Sequence, residues 1–150
     1  MKIKKYIPVI ALAFVVAAML GVIVYQHLKI EQHKQNVYDA YARSCENAIQ
    51  NIDDYIKTGD EKCYDYLVGE MGVLLNIPLV LDEDDPLRDD TLHIRLSDCQ
   101  SILISAPETC REHLSLLRDA LAAFEEQGRH PLANHENRLS QFYNACTVSA

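Results

Sequence analysis

An uncharged apolar run near the N-terminus constrains this chain more than any other feature. The run "YIPVIALAFVVAAMLGVIVY" covers residues 6–25 and follows the basic segment "MKIKK". Its nineteen helical steps of about 1.5 Å span roughly 28 Å, close to the ~30 Å hydrocarbon core of a bilayer. Tyr6 and Tyr25 then fall at the two interfaces, where tyrosine is favoured, and Pro8 falls in the first turn. We therefore predict a transmembrane helix over residues 6–25.

A cleaved secretory signal peptide is the alternative interpretation of this run. Val16, Ala17 and Ala18 resemble a small-residue cleavage site. Cleavage there would leave a mature chain that begins "MLGVIVY", which is still apolar and has no polar stretch before it. We therefore expect the segment to be retained as an anchor.

The basic residues beside the run predict its orientation. Three lysines precede it without an acidic neighbour, whereas Lys29 and Lys34 after it are accompanied by Glu31. Because lysine is enriched on the cytoplasmic side, we expect a single-pass protein of the cell membrane with a cytoplasmic N-terminus. The predicted regions are a cytoplasmic tail, a membrane helix and an extracytoplasmic domain, over residues 1–5, 6–25 and 26–150.

The charge of the predicted extracytoplasmic domain limits its partners. The chain has 14 basic and 22 acidic residues, and removing the three N-terminal lysines leaves 11 against 22, a net charge of −11. Such a surface repels phosphate backbones, so we predict no nucleic-acid binding. About 125 residues are enough for one domain.

Apolar periodicity predicts helices throughout this domain. Residues 26–57 contain neither Pro nor Gly and carry an apolar stripe at helical spacing, made of Ile30, Val37, Tyr41, Cys45, Ala48, Ile52 and Ile56. "TGD" at residues 58–60 predicts a glycine stop and an Asp60 cap for a second helix. Gly69 and Gly72 weaken that second helix, at about 1 kcal/mol each relative to Ala.

Three further helices are predicted after a break between Pro78 and Pro86. The third begins near Asp85 and Asp89, although the alternation in "LHIRL" leaves a short strand open. The fourth is predicted to begin with a capping box of Ser105 and Glu108 and to end at Gly128. The fifth follows His130 and Pro131, with a cap at Asn134. The expected core residues of these helices are Leu92, Leu96, Cys99 and Leu103, then Cys110, Leu114, Leu117, Leu121 and Phe124, then Leu132, Leu139, Phe142 and Cys146.

The predicted fold class is therefore all-α. We expect the transmembrane helix to continue outward into an extracytoplasmic antiparallel bundle of four to five helices, since short connections place neighbouring helices antiparallel.

Five cysteines raise the question of disulfides. Cys110 and Cys146 lie 18 residues before and 18 after Gly128, so they come level across the predicted hairpin and are the disulfide candidate. Cys99 and Cys110 are also nearly level, whereas Cys45 and Cys63 are not. Buried free thiols that pack as small hydrophobic side chains are the alternative.

Metal and cofactor sites find little support. Cys110 and His113 share a helix face that Cys99 and Cys146 could approach, which is a ligand set that zinc accepts, but no Cys-x-x-Cys spacing occurs. The acidic run "DEDD" lacks the glycine that a calcium loop needs. We predict no metal and no cofactor.

Catalysis is also disfavoured. The five glycines form no phosphate-binding or nucleophile-elbow pattern, and His93 and His113 are expected on the surface. Asp53 and Asp54 are adjacent, so a helix points them in different directions. We predict that the protein is not an enzyme.

Two segments are candidates for interaction. "VLLNIPLVL", residues 73–81, is more apolar than a helix connection needs, and its candidate residues are Val73, Leu74, Leu75, Ile77, Leu79, Val80 and Leu81. The segment could instead cover the core or rest on the bilayer. In the membrane helix, Ala17 and Gly21 have the small-xxx-small spacing of a homodimer contact.

These expectations favour an extracytoplasmic interaction module, a scaffold or accessory subunit of an envelope complex. It would bind the bilayer through residues 6–25 and a protein partner of unknown identity. The alternative is a ligand- or metal-sensing bundle, and we expect another chain to carry its signal inward.

Overall fold

A computed structural model describes residues 7–126 and 133–148 of the chain. The described residues form six α-helices and two short 3-10 helices, and they include no β-strand. The α-helices are α1 (Ile7–Thr58), α2 (Glu61–Asn76), α3 (Asp90–Ser105), α4 (Pro107–Glu112), α5 (Leu114–Glu126) and α6 (Ala133–Val148), and the 3-10 helices are Ile77–Val80 and Pro86–Arg88. The all-helical prediction is confirmed, as is a long apolar helix near the N-terminus.

The chain divides into two compact units, Met1–Asn36 and Val37–Ala150. Helix α1 contributes to both, since its residues up to Asn36 belong to the first unit and those from Val37 belong to the second. Each unit is described by itself below.

The second unit is built around one apolar core. Helix α5 packs against α6, α6 packs against α3, and α3 packs against α2. The stripe predicted on α1 is buried from Val37 to Ile52, whereas Ile56 beyond it is exposed. Every described core residue predicted for the last three helices is buried, so the helical periodicity identified the faces that meet in the core.

A glycine and several aspartates mark the ends of these helices. Gly59 adopts a φ of 68°, a left-handed conformation that favours glycine, directly after α1. Asp60 then caps α2 by accepting a hydrogen bond from the Lys62 amide at 3.0 Å. Asp85 caps the second 3-10 helix through the Leu87 amide, and Asp89 caps α3 through the Thr91 amide.

Two predictions about the fourth helix were wrong. The Ser105 hydroxyl donates back to the Ser101 carbonyl instead of capping the next helix, which begins after Ala106 without a side-chain cap. The predicted fourth helix is divided at His113 into α4 and α5, because the backbone there closes tighter turns, with His113 donating to Cys110 and Leu116 donating to His113.

Other helix boundaries agree more closely with the prediction. Helix α2 runs through both Gly69 and Gly72, and "LHIRL" lies within α3, so the strand alternative is excluded there. The cap predicted at Asn134 is wrong, because α6 begins at Ala133 and Asn134 lies in its first turn. Several predicted features lie outside the described residues, namely Tyr6, the three N-terminal lysines, Gly128, His130, Pro131 and Leu132.

Candidate functional site

In the first unit, the helix is apolar and its large side chains are exposed from Leu12 onward. Among the described residues, one helix is long and apolar enough to span a membrane, and it lies near the N-terminus. Its large apolar side chains from Leu12 to Ile30 are each between 48% and 74% exposed. Exposure of this many neighbouring apolar side chains is typical of a helix that faces lipid or another apolar surface.

An amphipathic contact lies near the polar end of this apolar segment. The Lys29 ammonium sits 5.1 Å from the centre of the Tyr25 ring, one helical turn away. This distance permits a cation–π interaction. Tyrosine and lysine together are the side chains that membrane helices place at the lipid–water boundary.

The apolar segment of residues 73–81 is divided between core and surface. Leu74 and Leu81 are buried in the core, so these two interaction candidates present no surface, and Leu75 and Ile77 are partly buried against it. Three candidates remain exposed, namely Val73 at 46%, Leu79 at 48% and Val80 at 62%. The exposed part of the predicted interaction segment is therefore much smaller than the sequence alone suggested.

Leu79 lies on the wall of a small apolar cavity, which we call the Leu79 pocket. Its volume is about 190 Å³. The apolar lining residues are Leu75, Pro78, Leu79, Leu87, Leu92 and Leu96. Arg88, Asp90 and His93 also line it. Pockets for drug-sized ligands are usually about 300–1,000 Å³, so this cavity suits an object no larger than one or two side chains.

Two hydrogen bonds hold the chain that borders the Leu79 pocket. The Tyr38 hydroxyl of α1 donates to the buried Asp85 carboxylate at 2.9 Å. The Arg88 guanidinium donates to the Leu81 carbonyl at 2.5 Å. The first bond joins α1 to the loop between the two 3-10 helices, and the second joins the two ends of that loop, so both restrain the loop beside the pocket.

Three thiols meet in the core of the second unit. Cys99, Cys110 and Cys146 are fully buried, and the Cys110 and Cys146 side chains are neighbours. The Cys110 thiol donates to the Ile102 carbonyl at 3.4 Å, and the Cys99 thiol donates to the Leu139 carbonyl at 3.5 Å. Burial raises the pKa of the Cys110 thiol to about 12 and raises the pKa of Cys99 as well. The two residues predicted as a disulfide are thus side by side as free thiols, and the disulfide stays a prediction.

The proposed zinc ligands do not form a metal site. Cys99, Cys110 and Cys146 are all buried in the core. Over the described ranges, no group of three or more His, Cys, Asp or Glu side chains is arranged to hold a metal ion.

A buried polar network joins α1, α5 and α6. His135 accepts from or donates to the Tyr41 hydroxyl through Nε2 at 2.9 Å, and its Nδ1 lies 2.7 Å from the Ala120 carbonyl oxygen. Because a carbonyl only accepts, Nδ1 carries the proton, and in the neutral ring Nε2 accepts from Tyr41. Both side chains are buried, and burial lowers the pKa of His135 while it raises the pKa of Tyr41.

His135 was not predicted as a core residue, although the sequence contains a signal for it. His135 precedes Leu139 by four residues and Phe142 by seven, so it extends the apolar stripe of α6 toward its N-terminus. A histidine that continues a core stripe is expected to be buried and to need hydrogen-bond partners. Tyr41, on the core stripe of α1, supplies one of them.

Polar contacts also fasten α1 to its neighbours at the surface. The Ser44 hydroxyl donates to Glu70 of α2 at 2.5 Å, and Arg118 of α5 donates to Asp53 at 2.8 Å. Arg111 pairs with Glu61 and lies over the Tyr64 ring, 5.1 Å from its centre. These contacts fix helix positions and form no concave site with aligned reactive groups.

No protein-family model, no curated protein and no solved structure matches this chain.

Proposed function

We propose that the protein is an extracytoplasmic interaction module that a single transmembrane helix anchors to the cell membrane. In this proposal the cytoplasmic side carries the N-terminus, and the helical domain acts as a scaffold or accessory subunit of an envelope complex. It binds a protein partner and does not turn over a substrate.

One observation carries the proposal, namely the exposed apolar face of α1 from Leu12 to Ile30. An aqueous environment would disfavour each of these side chains by about 25 cal/mol per Å² of apolar surface. A bilayer removes that cost, and the apolar length matches its hydrocarbon core.

The second unit supports a binding role over a catalytic one. Its polar side chains are mostly engaged in helix caps and in contacts between helices, as in the bonds of Ser44 and Arg118. The Leu79 pocket is a partly enclosed cavity of about 190 Å³, and Leu79 in its wall and the neighbouring Val80 are exposed. Small pockets next to exposed apolar side chains are typical anchor points for a partner's side chain.

Two measurements on cells test the anchor and its orientation. We expect the full-mass protein to stay in the membrane pellet after alkaline carbonate extraction. We also expect protease added to cells without an outer envelope to digest residues 26–150 while a cytoplasmic marker survives. A mature N-terminus at Met19 would contradict the anchor, and protection of the domain would mean that the orientation is reversed.

A third measurement tests the binding role. The chain, extracted with mild detergent under a C-terminal affinity tag, should co-purify with one stoichiometric protein partner, and a tagged copy truncated after residue 36 should not. If the full chain elutes without a partner, both with and without crosslinking in the cell, the interaction-module proposal is wrong.

The thiol pair adds an independent test of location. Outside the cytoplasm, a thiol–disulfide oxidant can join Cys110 to Cys146 before the two thiols are buried. Three of the five cysteines would then remain as reactive thiols. Thiol counting on the denatured, unreduced protein measures this number. A count of five would contradict the disulfide and favour buried free thiols.

A further inference from the structure

We propose that the Leu79 pocket, together with the acidic residues that follow it, docks a basic amphipathic segment of the partner protein. The acidic residues, which we call the acidic edge, are Asp82, Glu83 and Asp84. This inference rests on the proposed function and adds the chemistry of the partner to it. One apolar side chain of the partner enters the pocket, and Lys or Arg side chains face the acidic edge.

The pocket is the right size for one apolar side chain. An apolar cavity of about 150 Å³ can hold a benzene ring, and the Leu79 pocket measures about 190 Å³. Leu79, which lines the pocket, is 48% exposed, and the next residue, Val80, is 62% exposed, so both offer apolar surface to a partner. A partner that covers them removes apolar surface from water, which is the usual basis of a binding hot spot.

The acidic edge selects the charge of that partner. Asp82, Glu83 and Asp84 are exposed and directly follow the apolar segment. Within the described part of the chain, none of the three takes part in an ion pair. Arg88, which lines the pocket, donates to the Leu81 carbonyl and keeps its single positive charge. The three carboxylates of the acidic edge outnumber it, so a net negative charge remains that a basic segment complements.

The same charge disfavours two other occupants. A second copy of this chain would bring a net charge of −8 and an identical acidic edge to the contact. A bilayer surface with anionic lipids would repel the edge as well. Charge complementarity thus distinguishes a basic protein segment from both alternatives.

Binding of designed peptides to the full-length chain tests the docking surface. The chain is placed in phosphatidylcholine nanodiscs, and empty nanodiscs measure the lipid background. The probe is a fluorescent, helical peptide of alanine and lysine with one central leucine, and its counterpart has glutamate in place of lysine. We expect the lysine peptide to bind at least about tenfold more tightly than the glutamate peptide, and more weakly as salt screens the charges.

Two variants locate the binding on the chain. Leu79→Ser removes the apolar border of the pocket, and Ile104→Ser, which changes another exposed apolar side chain on α3, is its matched control. We expect Leu79→Ser to weaken binding of the lysine peptide at least about tenfold. Ile104→Ser should change the affinity for that peptide less than about twofold.

A charge-matched pair tests the acidic edge in the same way. The edge variant carries Asp82→Asn, Glu83→Gln and Asp84→Asn. Its control removes three exposed carboxylates from other helices, through Glu46→Gln, Asp65→Asn and Glu112→Gln. Both variants change the net charge equally, so only a local contact makes the edge variant bind more weakly. Circular dichroism checks that all variants keep their helix content.

The outcomes separate this inference from the proposed function. Three results would overturn the docking surface. They are equal affinity for the two peptides, an equal loss of affinity in the edge variant and its control, and self-association of the chain through Leu79. If a protein partner co-purifies with the wild type and equally with Leu79→Ser and the edge variant, the interaction module stands and this docking surface is wrong. If no partner exists but the lysine peptide still binds at Leu79, the surface is basic-selective and the proposed function is wrong.

Discussion

The two units use the same apolar side chains in opposite surroundings. In the first unit, Leu20 is 57% exposed and its apolar neighbours are similarly open. In the second unit, Leu117 is fully buried among side chains of other helices. The difference lies in what covers each surface, because protein covers Leu117 and only a surrounding medium can cover Leu20.

This comparison separates two kinds of apolar helix. A helix that is apolar on all sides, as α1 is up to Tyr25, has no single stripe to bury in a small domain and is typical of a membrane span. A helix with one apolar stripe, such as α5, buries that stripe against neighbours and leaves a polar residue such as Asp119 exposed. The predictions below test whether the two surroundings differ as this interpretation requires.

Removal of leucine side chains should produce the largest difference in domain stability. Leu117→Ala should lower the free energy of unfolding of the second unit by about 2–5 kcal/mol, because it leaves a cavity in the core. Leu20→Ala should leave that free energy unchanged. Denaturant titration of the full-length chain in nanodiscs, followed by circular dichroism, measures both. Similar losses in the two variants would mean that Leu20 also packs against protein.

A charge in the apolar helix should weaken membrane attachment. Arginine at the centre of a membrane helix costs about 2.5–3.5 kcal/mol, so Val16→Arg should lower the fraction of protein in the carbonate pellet. Val148→Arg, at an exposed apolar position in α6, is the control and should not change that fraction. Equal retention of wild type and Val16→Arg in the pellet would contradict a lipid-facing helix.

The buried hydroxyl of Tyr41 should contribute a smaller, specific part of the core's stability. Tyr41→Phe leaves Nε2 of His135 without its partner, and an unpaired buried acceptor costs about 1–3 kcal/mol. Tyr66→Phe removes an exposed hydroxyl and should be neutral within a few tenths of a kcal/mol. Thermal unfolding of both variants provides the comparison. If Tyr41→Phe unfolds at the same temperature as the wild type, the hydrogen bond between Tyr41 and His135 does not stabilise the core.

Acid should destabilise the second unit through His135. Burial lowers the pKa of His135 below its ordinary 6.5, so the unfolded chain takes up the proton first as the pH falls. The contribution of neutral His135 to the free energy of unfolding is complete above about pH 6.5. It declines below that pH, with a slope of at most about 1.4 kcal/mol per pH unit. Denaturant titrations from pH 7.5 down to 5 should give a steeper decline for the wild type than for His135→Gln. Parallel declines would assign the acid sensitivity to other groups.

The two glycines of α2 should give the smallest effects. An added Cβ at Gly69 meets nothing within 4 Å, so Gly69→Ala should raise stability by up to about 1 kcal/mol through helix propensity. At Gly72 the added atom would lie 2.7 Å from the Gln100 amide nitrogen, so Gln100 must move and the gain should be smaller. Melting temperatures of the two variants test this order. A loss of stability in Gly69→Ala would indicate that something outside the chain approaches this glycine closely.

Most of the local structure followed from the sequence because its causes are local. The apolar stripes at helical spacing, the positive φ at Gly59 and the cap at Asp60 each depend on a few neighbouring residues. The exposed face of α1 was likewise predictable, because no stripe exists there to distinguish a buried side. The tighter turn at His113 was not, since the stripe from Cys110 to Leu114 continues across it.

Only the tertiary structure decided how distant residues meet. It buried Leu74 and Leu81 while leaving Leu79 and Val80 in solvent, although all four lie in one apolar segment. It also brought His135 to Tyr41 across 94 residues of chain. Spacing along one helix determines which residues share a face, but the packing of several helices determines which faces find a partner and which remain open to bind one.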